Sequence, residues 1–262
     1  MNLLRYTRSV AGAFLLLALA GYVKGDGADH ELFSVVLHDA VADGLVDYEA
    51  LRDESRLDQY LDQLDQTDPT QYATEVERLA LWINAYNAYT LKLVADDYPI
   101  KSIHDLGTGG RIIGWLLNRS PWDIRFARVG GKEYTLNEIE HEILRVRFDE
   151  PRIHFAIVCA AVSCPPLRSE AYFPERLEVQ LNEQAKSFLN DSRSNRFDRT
   201  EKDAELSPIF SWFKKDFGGS DESILRFIVP FLDEKTATTI RRDGFEWDVS
   251  STHYDWSLND QP

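Results

Sequence analysis

The sequence predicts an α+β fold, mostly helical, with a small antiparallel sheet. Two observations carry this. Stretches with apolar residues three and four apart, the helical period, outnumber stretches that read as strands. The strand-like stretches cluster in the middle of the chain and near its C-terminus. Helices gathered apart from a few strands are the α+β pattern.

Taken in order, the chain opens with Arg5 and Arg8, no acid, an apolar stretch from Val10 to Val23 and the small-residue exit Ala18-Leu19-Ala20. These are the parts of a secretory signal peptide. The apolar stretch is shorter than the ~20 residues a spanning helix needs. No cysteine follows it to carry a lipid. Residues 1–20 are therefore expected to be removed and the mature protein to be periplasmic or secreted, with an uncleaved N-terminal anchor as the alternative.

Residues 21–72 read as an N-terminal helical segment, polar over 28–66 and broken at Gly44-Leu45-Val46-Asp47-Tyr48. After Asp68-Pro69 comes the strongest helical pattern, residues 73–96, with Leu79, Ile83, Tyr86, Thr90 and Val94 on one stripe. Trp82, Ala85 and Leu93 make its flanks apolar too, so a buried central helix is expected. Gly107, Gly109, Gly110 and Gly114 form a glycine-rich segment in the wrong order for a phosphate loop, which suits a loop over a site. Residues 124–134 alternate around Gly130-Gly131 and predict a hairpin. Thr135-Leu136-Asn137-Glu138 is a capping box that opens a helix reaching to about Phe148. The apolar, β-rich run 153–160 suits a strand buried on both faces. Helices are expected at 175–190, 208–216, 222–232 and 234–242, and short strands at 245–248 and 254–256.

Composition is that of a globular protein, 44% hydrophobic and 12% aromatic, with a net charge of −15. That field repels phosphate backbones and anionic lipid surfaces, so nucleic acid is not an expected partner, nor is stable membrane insertion after signal cleavage. His30, His38, His104 and His253 lack ligand spacing with one another or with carboxylates. No metal and no cofactor are expected. No Gly-x-Ser-x-Gly elbow is present, which argues against a serine hydrolase.

Only two cysteines occur, Cys159 and Cys164. A disulfide between them would close a small loop and stabilise little. Another bland reading makes Cys159 an inert strand residue. The functional reading places it where a strand enters the turn Ser163-Cys164-Pro165-Pro166, a rigid support facing a cleft. A nucleophilic cysteine needs a base. His141 points away from its helix's apolar stripe of Leu136, Ile139, Ile143 and Val146, with Glu138 and Glu140 near enough to orient it. His154, five residues before Cys159, falls on the opposite face of a regular strand and reads as a hydrogen-bonded core residue. Asn84 and Asn87 share one face of the central helix. They either bond neighbouring backbone or serve the site as donors.

Five blocks together resemble one family: Leu81-Trp82-Ile83-Asn84-Ala85-Tyr86-Asn87-Ala88, Ile139-Glu140-His141-Glu142-Ile143-Leu144-Arg145, His154 through Cys159 to Ser163-Cys164-Pro165-Pro166-Leu167, Leu206-Ser207-Pro208-Ile209-Phe210-Ser211-Trp212-Phe213 with Asp216-Phe217, and Tyr254-Asp255-Trp256-Ser257-Leu258-Asn259. They look like the signature blocks of the domain of unknown function 547 family, over about residues 73–259. The resemblance implies a fold distantly related to papain-like and transglutaminase-like proteins, with a cysteine and a histidine facing each other in a cleft. Carried over, the catalytic positions are Cys159, His141 and Glu140, with Asn84, Asn87 and Cys164 beside the substrate. Here the histidine precedes the cysteine, the reverse of the papain order, so any triad has its parts redistributed along the chain.

Two functions are expected to compete. One is a cysteine-dependent hydrolase or transferase acting on small peptides or thiol compounds such as glutathione, with backbone donors near Ser163 steadying the oxyanion. The other is a non-catalytic peptide- or protein-binding module of the cell envelope, its groove lined by Trp82, Tyr86, Trp212, Phe213 and Trp256.

Overall fold

A computed structural model describes residues 27–106 and 120–262. The expected signal peptide and the glycine-rich segment lie outside them. The polar N-terminal region is three helices, His30–Ala40, Tyr48–Leu51 and Ser55–Gln66. Its expected break is a small hairpin, Val41–Ala42 against Leu45–Val46. Asp43 and Gly44 turn it with φ of 52° and 80°, the left-handed pair that a two-residue hairpin loop requires.

The central helix spans Glu75–Asp97 and is opened by a capping box between Thr74 and Glu77. From Leu79 to Ala95 it is buried almost throughout, because its flanks are apolar and other elements cover every side. Phe33 and Tyr60 from the N-terminal helices join Tyr86, Phe155 and Phe210 in one hydrophobic core. Residues ahead of 73 therefore pack with the rest rather than apart from it. No helix among the described residues is long and apolar enough to cross a membrane.

Ala127–Val129 pairs antiparallel with Lys132–Tyr134 around Gly130-Gly131, as expected. The capping box also closes: Thr135 N–H reaches Glu138 Oε2 at 2.8 Å and Glu138 N–H reaches Thr135 Oγ1 at 3.0 Å. The helix continues through Leu136–Glu138, Ile139–Leu144 and Arg145–Arg147. Its middle widens into a π turn, where Arg145 N–H bonds the carbonyl of Glu140, five residues back.

The run 153–160 is not the buried strand its composition suggests. Ile153–Ala156 is a single turn of helix, begun by His154 N–H on the Pro151 carbonyl and closed by Ile157 N–H on that of Ile153. A short, wholly apolar run is compatible with either state, because burial on all sides erases the periodicity that separates them.

Further on, the expected helices appear as Leu177–Leu189, Asp221–Ile228 and Glu234–Arg242, while that at 208–216 shrinks to Ile209–Trp212. The small sheets are antiparallel except at one pair. Arg196–Asp198 runs antiparallel to Asp203–Leu206, and Asp248–Ser251 joins the latter in parallel. Tyr254-Asp255-Trp256 is not a strand. The tail instead crosses the cysteine turn, taking Val162 N–H on Ser257 O at 2.8 Å and Ser163 N–H on Asp255 O at 3.2 Å.

Candidate active site

A cavity of ≈ 190 Å³ opens between the π turn, the cysteine turn and the C-terminal tail. Glu140, His141, His154, Cys159, Cys164 and Tyr254 all line it, with Tyr86, Trp122, Trp212, Phe213 and Trp256 among the apolar walls. The structure thus brings both cysteines together with Glu140 and His141.

Cys159 is partly exposed and Cys164 buried, and both thiols are free. Directly after Cys159, Ala160 takes a φ of 60° although it is fully buried. A non-glycine residue in the left-handed region marks a turn that its surroundings enforce. The turn folds Cys164 back so that Cys159 N–H donates to its sulfur at 2.9 Å. Tyr254 Oη lies 3.0 Å from Cys159 Sγ. Burial raises the Tyr254 hydroxyl far above its ordinary range, so it stays protonated and can donate. The contact from the Cys164 thiol, with smaller help from Tyr254 and Ala161 N–H, outweighs burial and holds Cys159 below the usual thiol value. Burial pushes Cys164 the other way. Of the two thiols, Cys159 is the one poised to ionise.

The expected oxyanion donors near Ser163 are not available. Val162, Ser163 and Cys164 N–H are bound to Ser257, Asp255 and Ala161 carbonyls. The tail that delivers Tyr254 also occupies the first two of these donors, and the cysteine turn itself takes the third.

On the opposite wall, Glu140 is buried and accepts one hydrogen bond from Tyr86 Oη at 3.2 Å. Burial pushes its carboxyl up to about 7, against the Tyr86 bond and the nearby Arg145 charge. A carboxyl that titrates near neutrality and borders a thiol can both take and return a proton. His141 faces the cavity but is not oriented by a carboxylate. Glu138 is engaged with Arg125 and the helix cap. Arg145, one turn later, donates through Nη1 to His141 Nδ1 at 2.8 Å. Burial, then the guanidinium, lowers the His141 pKa.

His154 is hydrogen-bonded and buried, as expected, with Nε2 2.7 Å from Asp216 Oδ2. It nevertheless shares the cavity with Cys159, since the alternation that put them on opposite faces applies to a strand and this segment is helical. Asp216 is the residue that sequence reasoning missed as a functional position. It lies 62 positions from His154, and only its place in a family block pointed to it.

Asn84 and Asn87 hold the scaffold. Asn84 bonds both the N–H and the carbonyl of Tyr172, each at 2.8 Å. Asn87 accepts from Val158 N–H and donates to the Ala156 carbonyl, each at 3.0 Å. Neither amide lines the cavity, and each is committed to backbone on both its oxygen and its nitrogen. Asn87 therefore acts on the site indirectly, by pinning the segment that leads into Cys159. Among the described residues no group of three or more His, Cys, Asp or Glu side chains is placed to hold a metal ion.

No curated protein and no solved structure matches the chain. Residues 70–189 match a family model described as a protein of unknown function, DUF547. The match extends to no papain-like or transglutaminase-like protein, and the blocks at 206–217 and 254–259 lie beyond it. The matched segment carries Asn84 and Asn87, the π turn, both histidines of the cavity and both cysteines, and over it the chain is similar to the DUF547 family.

Proposed function

We propose that this protein is an exported, cysteine-dependent hydrolase or transferase acting on small peptides or thiol compounds. One observation carries the reading. The more acidic of two adjoining thiols, Cys159, opens into a cavity that also holds a carboxyl titrating near neutrality and two imidazoles. Cys159 attacks a carbonyl carbon, the bond to the leaving amine or thiol breaks, and a protonated cavity group supplies the leaving atom's proton. Water then resolves the thioester in a hydrolase, or a second thiol or amine in a transferase. The cavity admits a side chain or a small peptide end rather than a folded protein. The basic-then-apolar start of the sequence supports export.

A binding module remains the second reading, because Trp212 is 48% exposed beside the cavity and stacks on Trp256 at 5.8 Å. Alkylation separates the two. Iodoacetamide at pH 7 is expected to modify Cys159 roughly tenfold faster than an unperturbed thiol, and Cys159→Ala to remove that reactivity. Labelling no faster than a free peptide thiol would favour the binding module.

A further inference from the structure

Arg145 lies at the centre of a chain of four side chains. Its Nε and Nη2 donate to Asp216 Oδ2 at 2.6 Å and Oδ1 at 3.0 Å, while Nη1 donates to His141 Nδ1 at 2.8 Å. A guanidinium has only donors and keeps its charge in proteins. His141 Nδ1 must therefore offer its lone pair, which leaves the ring neutral with its proton on Nε2. Across the pair, Asp216 Oδ2 meets His154 Nε2 at 2.7 Å. Burial opposes ionisation of Asp216, but its bonds from Arg145 and His154 prevail and hold it below the usual carboxylate range. An ionised carboxylate only accepts. His154 therefore carries its proton on Nε2, and its lone pair is on Nδ1.

The two rings are the same tautomer bound by opposite edges. What His141 leaves uncommitted is an N–H. What His154 leaves uncommitted is a lone pair, and Nδ1 makes no hydrogen bond among the described residues. His154 lies flat on Phe213, with ring centres 4.0 Å apart and planes at 19°, which resists the ring flip that would exchange its edges.

We propose that the Arg145–Asp216 ion pair divides the work of the two cavity histidines, making His154 Nδ1 the proton acceptor for Cys159 and His141 Nε2–H the donor to the anion that forms on the substrate. The assignment rests on the cysteine reading above and reverses the role that sequence position suggests for His141. Cys159 passes its proton to His154 Nδ1 and attacks the carbonyl carbon. The tetrahedral oxyanion accepts from His141, and on collapse the leaving group takes the proton back from His154. Burial makes His154 a weak base, with its pKa down to about 4. Asp216 keeps that value from falling further by stabilising the imidazolium, as the carboxylate of a Ser-His-Asp triad does, but does not outweigh burial. A neutral imidazole held as an electrophile is equally sound chemistry for His141, and it takes the place of the blocked donors near Ser163. The charged and titratable groups around the two rings are Arg145, Asp216, Glu140, Cys159, Cys164, Tyr86 and Tyr254.

Long-range proton–nitrogen NMR of the histidine rings in the full chain at pH 7, in wild type and in Cys159→Ala, tests the assignment independently of any thiol chemistry. Both His141 and His154 are expected as neutral Nε2–H tautomers. Asp216→Asn, which can present an N–H, is expected to turn His154 to the Nδ1–H form. A charged His141, or either wild-type ring protonated on Nδ1 alone, would overturn the proposal. The second arm is iodoacetamide labelling of Cys159 at pH 7. His154→Gln is expected to slow it roughly tenfold or more, and His141→Gln to leave it within about threefold, since a donor to the oxyanion has no part in alkylation. The reverse ranking overturns the proton-acceptor role. An unreactive wild-type Cys159 overturns that role together with the cysteine reading, while the NMR result still decides the tautomers.

Discussion

Asn84 and Asn87 on the central helix and Glu140 and His141 on the π turn are two pairs of polar residues, the asparagines and Glu140 buried and His141 exposed at the cavity, and they differ in how fully they are bonded. Each asparagine has both its oxygen and its nitrogen on backbone partners. Glu140 receives one hydrogen bond and His141 one, each from a single side chain. A buried amide held by backbone through both its oxygen and its nitrogen fixes one arrangement of the chain, and neither asparagine lines the cavity. A carboxyl with acceptor capacity to spare, bordering a cavity, is strained toward its neutral form and available for proton transfer. Completeness of hydrogen bonding, rather than burial, separates scaffold from candidate chemistry in this molecule.

The sharpest test removes a scaffold amide. Asn87→Ala strands the Val158 N–H and the Ala156 carbonyl, and Asn84→Ala strands both backbone groups of Tyr172. Each substitution is expected to cost about 4 kcal/mol in urea unfolding, at 1–3 kcal/mol per stranded group. A loss below ~1 kcal/mol in both would mean that water replaces these bonds and that the contrast fails.

Glu140 should behave in the opposite manner, through pH. Its folded pKa of about 7 lies above the ordinary 4.5, so the folded state holds the proton more tightly and stability falls as pH rises through that window. The loss amounts to about 3 kcal/mol at 1.36 kcal/mol per pKa unit. Glu140→Gln lacks it, so the variant should gain on wild type by that amount between pH 4.5 and pH 8. His154, lowered to about 4 by burial, contributes stability that is lost as pH falls from 6.5 toward 4. It does so in both proteins and cancels in the difference. Parallel stability-versus-pH curves for the two proteins would show that Glu140 is not perturbed by burial.

The smallest effect belongs to His141. It is exposed enough to be solvated on one side, so His141→Gln is expected to change unfolding free energy by less than about 1 kcal/mol. A loss of several kcal/mol would move His141 into the scaffold class with the asparagines.

How much of this was legible in the sequence follows the range of the interactions concerned. The hairpin at Gly130-Gly131, the Thr135–Glu138 capping box and the buried central helix rest on contacts within a few residues, and the local pattern is the cause of the structure. The cysteine turn was visible as a loop, and the family blocks enclosed the residues that line the cavity except Trp122 and Asn137. Sequence could not distinguish a helical turn from a strand at 153–156, because an apolar segment with neighbours on every side has no polar face to report its period. Nor could it choose between the two roles of the asparagines, since the partners of Asn84 lie 88 residues away. The pairing of His154 with Asp216, the approach of Tyr254 to Cys159 over 95 residues and the π turn beside Arg145 were decided by tertiary packing. The side chains alone determine that an ionisable thiol, two imidazoles and a carboxyl are present. Which atom of each imidazole faces the cavity, and how far burial shifts the carboxyl, depend on distances that only the folded chain sets.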